Sequence, residues 1–241
     1  MIFISVHTPK TAGTSLAHVF DHGTDRAVLY DYRSDYTNFM FSAEEEAQFL
    51  RARDYVLWKF RFIHGHFCLL KYRGILPAAH TVTCFRDPVA RTISQYKHIW
   101  YEANEKSSMY QQFKAGMDVV AFSERRNIAN AQSIHLGCLA PKEIDFIFLD
   151  QALDEGLRLF RLKYPGVLVN RWANLPVLNT GVNREKWAGK DALVFSDAQL
   201  SELARLHKDE IDYCRQATEA YHRQKADILK STISDNLQAS A

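Results

Sequence analysis

The stretch that decides the fold is the first fifteen residues, Met1-Ile-Phe-Ile-Ser-Val-His-Thr-Pro-Lys-Thr-Ala-Gly-Thr-Ser15. Ile2 to Val6 form an apolar, β-rich run, and Pro9 ends that run because proline cannot donate to a sheet. From Leu16 onward the apolar residues take helical spacing. A strand that passes through such a loop into a helix presents backbone N–H groups, hydroxyls and one ammonium group to an anion. The sequence therefore predicts a phosphate-binding loop at residues 9 to 15.

The order of residues in this phosphate loop differs from that of the nucleotide-hydrolase P-loop. The P-loop has a glycine, four residues, a second glycine, then lysine and Ser/Thr. Here Lys10 precedes Gly13, and no glycine opens the loop. Taken alone, the loop could also be an ordinary strand–turn–helix connection with a surface lysine.

Size and charge limit the possible classes of protein. A chain of 241 residues with 47% hydrophobic content fits one α/β domain, which we place at residues 1–230, followed by a polar tail at 231–241. The net charge of +2 gives no global field for a polyanion, so we predict no nucleic-acid partner. There is no secretory signal pattern and no apolar run of about 18 residues, so we expect a cytoplasmic protein without an integral membrane segment.

The four cysteines are widely spaced and form no Cys-x-x-Cys motif or Cys/His cluster. We expect reduced, largely buried thiols and no metal.

Predicted strands alternate with predicted helices along the chain. The strands are placed at residues 2–6, 60–63, 80–85, 146–149 and 167–169. The helices are placed at 15–21, 43–53, 88–102, 119–123, 127–135, 150–164 and 197–229. This alternation predicts an α/β fold, a mostly parallel sheet flanked by helices. Ligands of such sheets bind at the carboxyl ends of the strands, where the phosphate loop falls.

A second anion site is predicted where the β-rich run at 80–85 ends. Arg86 follows that run, Asp87 can cap the next helix, and Pro88 suits its first turn. Ser94 lies eight residues after Arg86, about two helical turns, so its hydroxyl and the guanidinium could converge on one anion. The alternative is a helix start with surface charges.

A pair of histidines, His64-Gly65-His66, ends a third β-like run. Histidine can accept a proton near neutral pH, and Gly65 would let the backbone turn an imidazole toward a ligand. Two histidines filling a strand end is the alternative, and we find no third ligand at a spacing useful for a metal. His7 is a second candidate base, but its place before the phosphate loop favours a packing role.

Together these motifs resemble those of the sulfotransferases that use 3′-phosphoadenosine 5′-phosphosulfate (PAPS). His-x-Pro-Lys-Thr-x-Gly-Thr is similar to the 5′-phosphosulfate loop of the branch with the heparan sulfate 2-O- and 6-O-sulfotransferases, and the Arg86/Ser94 spacing is similar to that branch's 3′-phosphate site. The resemblance implies a P-loop-like fold, PAPS as donor, 3′-phosphoadenosine 5′-phosphate (PAP) as product, and an acceptor hydroxyl on a carbohydrate. It implies His66 as base, His64 as its support, and Lys10 as the group that stabilises the leaving phosphate. The implied donor-binding residues are Pro9, Lys10, Thr11, Ala12, Gly13, Thr14, Ser15, Arg86, Ser94, Asn179, Thr180 and Arg184.

One segment departs from that branch. Asn127-Ile-Ala-Asn-Ala-Gln132 resembles its Asn-x-x-Asn-x-Gln motif, but Ile134 stands where the branch usually has an arginine. This difference weakens any transfer of acceptor-binding roles to the segment.

The sequence thus predicts a PAPS-dependent sulfotransferase that needs no metal. Two alternatives remain: a Mg²⁺-dependent kinase or hydrolase, with Asp150 as metal ligand, and a non-catalytic nucleotide-binding protein.

Overall fold

The computed structural model describes residues 1–32, 39–102, 108–169 and 193–239. Its sheet has five strands in the order β2-β3-β1-β4-β5. Every pairing between neighbouring strands is parallel. The predicted α/β class is therefore confirmed. The strands are β1 (Ile2–Val6), β2 (Val28–Asp31), β3 (Phe62–Gly65), β4 (Ala79–Phe85) and β5 (Phe146–Leu149).

α-Helices lie in the connections from β1 to β2, β2 to β3 and β4 to β5, and after β5. They are α1 (Gly13–Gly23), α2 (Ala43–Arg51), α3 (Arg53–Lys59), α4 (Pro88–Glu102), α5 (Ser108–Lys114), α6 (Val119–Ser123), α7 (Arg126–Ala129), α8 (Ala131–His135), α9 (Leu153–Lys163), α10 (Asp197–Leu206) and α11 (Lys208–Ala239). Short 3₁₀ turns lie at Leu69–Tyr72, Leu76–Ala78, Pro141–Glu143 and Asp150–Ala152.

Two strand predictions were wrong, and one strand was missed. β3 lies two residues later than predicted, so His64 and Gly65 belong to the strand and not to the turn after it. The four-residue β2 was missed because it is short and lies between charged residues. Residues 167–169 form no strand: the N–H of Val169 donates to the carbonyl of Gly23 at 2.7 Å, so this segment packs on the end of α1.

The single helix predicted at 197–229 is two helices in the structure, and the second extends beyond residue 229. α10 ends before His207, whose buried ring bonds the carbonyl of Ala129 (Nδ1, 2.8 Å) and the hydroxyl of Ser123 (Nε2, 2.8 Å). α11 then continues to Ala239, so the predicted polar tail is helical as far as the structure describes it. No helix in the described ranges combines the length and apolar character needed to cross a membrane.

The strands form the centre of the main core. β1, β3 and β5 are buried along their whole length, and Phe3, Phe20, Phe62 and Phe160 pack together over them. Three cysteines are buried as expected, but Cys138 is exposed, and all four are free thiols. Because the strands are parallel, the residues after β3, β1, β4 and β5 all emerge at one edge of the sheet.

Candidate active site

The phosphate loop turns through two residues in the left-handed conformation. Lys10 has a φ of 72° and Ala12 a φ of 59°, while Thr11 between them keeps a negative φ. The N–H and the hydroxyl of Thr11 both donate to the carbonyl of Thr8, at 3.3 Å and 2.8 Å. Alternating handedness turns successive N–H groups toward one side and forms an anion-binding concavity. The loop therefore has a backbone shape that can hold an anion.

Gly13 is needed in this loop for space. Its φ is not among the positive values, but a Cβ atom at this position would lie 1.9 Å from Cε1 of His7. The helix can begin here only because the His7 ring occupies the place of a side chain. Glycine at position 13 would suggest an unusual backbone angle there, but the positive φ values are those of Lys10 and Ala12.

The N-terminus of α1 opens onto the loop. Its N-cap residue, Ala12, has no side-chain hydrogen bond, and the first turn carries no acidic residue. The first N–H groups of a helix have no acceptor within the helix, so they can bind an anion. Thr14 is exposed, Ser15 is half-buried and Pro9 is buried. Thr14 and Ser15 thus place two hydroxyl-bearing residues in the first turn of α1.

Arg86 joins three strand ends. It directly follows β4, and its guanidinium donates to the carbonyl of Lys10 at 3.2 Å. Its Nε lies 3.2 Å from a carboxylate oxygen of Asp150, the residue after β5. Arg86 therefore connects the second predicted anion site directly to the phosphate loop.

Ser94 lies in α4, the helix that follows Arg86. Ser94 is half-buried, and the guanidinium of Arg86 contacts the carbonyl of Lys10 and the carboxylate of Asp150. Their joint grip on one anion stays a prediction. Asn179, Thr180 and Arg184 lie outside the described residues.

The two predicted histidines occupy different environments. His64 is fully buried inside β3, and its Nδ1 lies 2.8 Å from the hydroxyl of Ser5. His66 follows the strand and is partly exposed, with Nε2 3.1 Å from Nδ1 of His7. The His7 ring also stacks on His64 at 5.5 Å between centroids. His7 thus packs between the histidine pair and the phosphate loop, the role its sequence position favoured.

Gly65 separates these histidines for a steric reason. A Cβ at this position would lie 2.0 Å from the carbonyl oxygen of Asp31 on the neighbouring strand. The backbone makes no turn at Gly65, because it is still part of β3. That carbonyl accepts the N–H of His66 at 3.1 Å, so Gly65 lets β2 hold the backbone of His66.

Burial keeps these imidazoles neutral. Desolvation lowers the pKa of His66 to about 4. It lowers the pKa of His64 to about 3, with the backbone of Gly13 acting in the opposite direction. The pKa of His7 is also well below its ordinary value, first because of burial and then because of its histidine neighbours. A neutral His66 can accept a proton at neutral pH.

Sequence reasoning missed two neighbours of this cluster, Tyr32 and His135. The hydroxyl of Tyr32 lies 2.9 Å from Nδ1 of His7. Burial lowers the pKa of His135 to about 4, and His66 contributes to this shift. Tyr32 follows the missed strand β2, and His135 lies 69 positions after His66, so no local motif connects either residue to the site.

Asp150 is the carboxylate that the kinase or hydrolase alternative requires. It is half-buried beside Arg86, and burial raises its pKa while Arg86 acts against that shift. Among the described residues no cluster of three His, Cys, Asp or Glu side chains could hold a metal ion. The position of Asp150 makes it a counter-ion of the arginine.

The fold is similar to that of a known sulfotransferase. The crystal structure of a sulfotransferase from Alicyclobacillus acidocaldarius superposes with a TM-score of 0.51 and 13% sequence identity, covering 91% of this chain and 95% of that one. No family model and no curated protein matches the sequence. At this identity the similarity shows that the two chains share a fold.

Proposed function

We propose that the protein is a PAPS-dependent sulfotransferase that transfers a sulfuryl group to an acceptor hydroxyl, with a carbohydrate as the acceptor. The observation that carries the proposal is the contact between Arg86 and the carbonyl of Lys10 at 3.2 Å. It places the two turns that we predict to bind anions next to each other, on adjacent strands, which supports a donor with a phosphate group at each end. On the other side of β1 lies β3, which contains His64 and is followed directly by His66.

The donor supplies an activated sulfuryl group bonded to its 5′-phosphate. The phosphate loop would hold that phosphate with the N–H groups of the concavity and of the first turn of α1. Arg86, with Ser94, would bind the 3′-phosphate, for which a planar guanidinium is well suited. Outside the described residues, we assign Asn179, Thr180 and Arg184 as further donor contacts.

The transfer step forms one O–S bond and breaks another. The acceptor oxygen bonds to sulfur as the bond from sulfur to the 5′-phosphate oxygen breaks, and His66 takes the hydroxyl proton. In the tautomer whose Nε2–H donates to Nδ1 of His7, Nδ1 of His66 holds the lone pair that takes this proton. Lys10 stabilises the negative charge that develops on the leaving phosphate. Catalysis then rests on positioning and electrostatics, as in phosphoryl transfer.

A transfer assay with [³⁵S]PAPS and a panel of desulfated oligosaccharides, lipids and small alcohols tests this function. We expect label on a carbohydrate hydroxyl, without added metal. His66→Gln should lower kcat by about 100-fold or more while PAP binding persists. His222→Gln, a change at an exposed histidine on α11, is the control and should leave kcat unchanged. Turnover of ATP that requires Mg²⁺, or absence of both label transfer and PAP binding, would overturn the proposal.

A further inference from the structure

The main chain at Arg86 is held by the side chain of a distant glutamine. The amide oxygen of Gln132 accepts the N–H of Arg86 at 2.9 Å. The amide nitrogen of Gln132 donates to the carbonyl of Arg86 at 3.0 Å. The same nitrogen lies 3.0 Å from the sulfur of Cys214. Gln132 therefore extends the hydrogen bonding of β4 by one residue, using a side chain in place of a strand.

Glu210 in turn holds Gln132. One carboxylate oxygen accepts the N–H groups of Gln132 and Ser133 at 2.6 Å and 3.3 Å, and the other accepts the hydroxyl of Ser133 at 2.7 Å. Gln132 and Glu210 are each 1% exposed. A buried polar group without its partner is costly, so each member of this chain of bonds depends on the next. Helix α11, which carries Glu210, is thereby connected to the turn after β4.

The contacts allow only one orientation of the Gln132 amide. Rotating the group by half a turn would place its NH₂ against the N–H of Arg86 and its oxygen against the carbonyl, and both bonds would be lost. Because the amide fixes both polar groups of the Arg86 peptide backbone, it also fixes the point from which the guanidinium reaches Lys10 and Asp150.

We propose that Gln132, held by Glu210, is a positioning residue that aims Arg86 and so determines selectivity for a nucleotide with a 3′-phosphate. This inference rests on the proposed function, in which Arg86 binds that phosphate. A residue that binds a ligand directly needs a fixed backbone, because small errors in position strongly weaken a charged, directional hydrogen bond.

The test compares PAP with adenosine 5′-phosphate, which lacks the 3′-phosphate, by calorimetric titration. At a pH at which the new carboxyl group is ionised, Gln132→Glu keeps the shape of the side chain and the acceptor for the Arg86 N–H but removes the donor to the Arg86 carbonyl. We expect the preference for PAP over adenosine 5′-phosphate to fall by about tenfold, with the affinity for adenosine 5′-phosphate nearly unchanged. Equal loss for both nucleotides, or an unchanged preference, would overturn the inference.

Gln224→Glu is a matched control. Gln224 bonds main-chain groups in the same way, accepting the N–H of Ile147 at 3.1 Å and donating to the carbonyl of Ile144 at 2.8 Å. These groups lie at the start of β5, at the opposite end from the site. This variant should lose stability but keep the wild-type preference for PAP. A preference lost equally in both variants would show a general structural effect and would contradict the positioning role.

The nucleotide preference of the wild-type protein and a variant at Glu210 distinguish failure of the proposed function from failure of the positioning role. If the wild-type protein does not prefer PAP, the proposed function fails; if it does and the Gln132 variant keeps that preference, only the positioning role fails. Should Gln132→Glu not fold, Glu210→Gln replaces it, because this variant weakens the hold on Gln132 without changing the amide. Glu210→Gln should lower the preference for PAP over adenosine 5′-phosphate by about threefold. If this variant keeps the preference of the wild-type protein, the inference is contradicted.

Discussion

The two turns that we propose as anion sites obtain their shapes in different ways. The phosphate loop after β1 is shaped locally: Lys10 and Ala12 adopt positive φ values, and Gly13 leaves room for a histidine six residues earlier. The turn after β4 is shaped from a distance, since Gln132 and Glu210 fix the backbone of Arg86. A short motif can therefore encode the first turn, whereas the second depends on the packing of the whole domain.

Gly13→Ala should have the largest effect on the locally shaped turn. The new methyl group would meet the His7 ring, which Tyr32 and His66 hold in place. We expect a loss of about 3 kcal/mol in the free energy of unfolding, at the upper end for overpacking, measured by urea denaturation. His7→Ala should make room for the methyl group, so the double variant should lose less than the sum of the two single losses. Strict additivity would contradict this account of the loop.

Acid should destabilise the histidine side of the site. The folded protein keeps His64 neutral down to a pKa of about 3, and His66 and His135 neutral down to about 4, while an unfolded histidine takes up a proton near 6.5. Between these values the unfolded state binds more protons, so stability falls as pH drops below about 6.5.

Each such histidine should contribute about 1.4 kcal/mol per pH unit in this window. Urea denaturation from pH 7 to pH 4.5 measures the slope, which should become smaller by one such increment in His64→Gln. The control His222→Gln should keep the wild-type slope. An unchanged slope in His64→Gln would show that His64 is not held neutral.

Ala12→Gly should stabilise the protein by about 1 kcal/mol, because glycine adopts a positive φ without the cost that a Cβ adds. Ala17→Gly, the same change inside α1, should destabilise it by about 1 kcal/mol. Thermal denaturation of both variants gives the signs. Destabilisation by both would mean that Ala12 is not strained.

Asp150→Asn should produce the smallest effect, at the distantly shaped turn. It removes the carboxylate that pairs with Arg86, so an incoming phosphate no longer competes with it. Since ion pairs this exposed are worth under about 1 kcal/mol, we expect PAP to bind about threefold more tightly by calorimetry. Glu202→Gln removes an exposed ion pair with Arg205 and is the control. Weaker PAP binding by Asp150→Asn would contradict the counter-ion role.

The contrast between the turns also explains what the sequence could predict. β1, β5 and α4 were placed with their observed bounds because their apolar patterns and caps are local signals. β2 was missed, and with it Tyr32 and the backbone contact from Asp31 to His66. The positive φ values of Lys10 and Ala12 were not foreseen, since neither is a residue type that favours this conformation. The hold of Gln132 on Arg86 spans 46 positions, and only the folded chain reveals it.

The central claim is that one donor is bound at both turns, and calorimetric titration of PAP and adenosine 5′-phosphate into the wild type, Lys10→Ala and Arg86→Ala tests it most directly. Lys10→Ala should weaken both nucleotides alike, since both carry the 5′-phosphate. Arg86→Ala should weaken PAP by about tenfold or more and adenosine 5′-phosphate little. Two results would contradict the two-ended site. One is that both variants change the affinities for PAP and adenosine 5′-phosphate in the same way. The other is that both variants lower the PAP affinity by less than about tenfold.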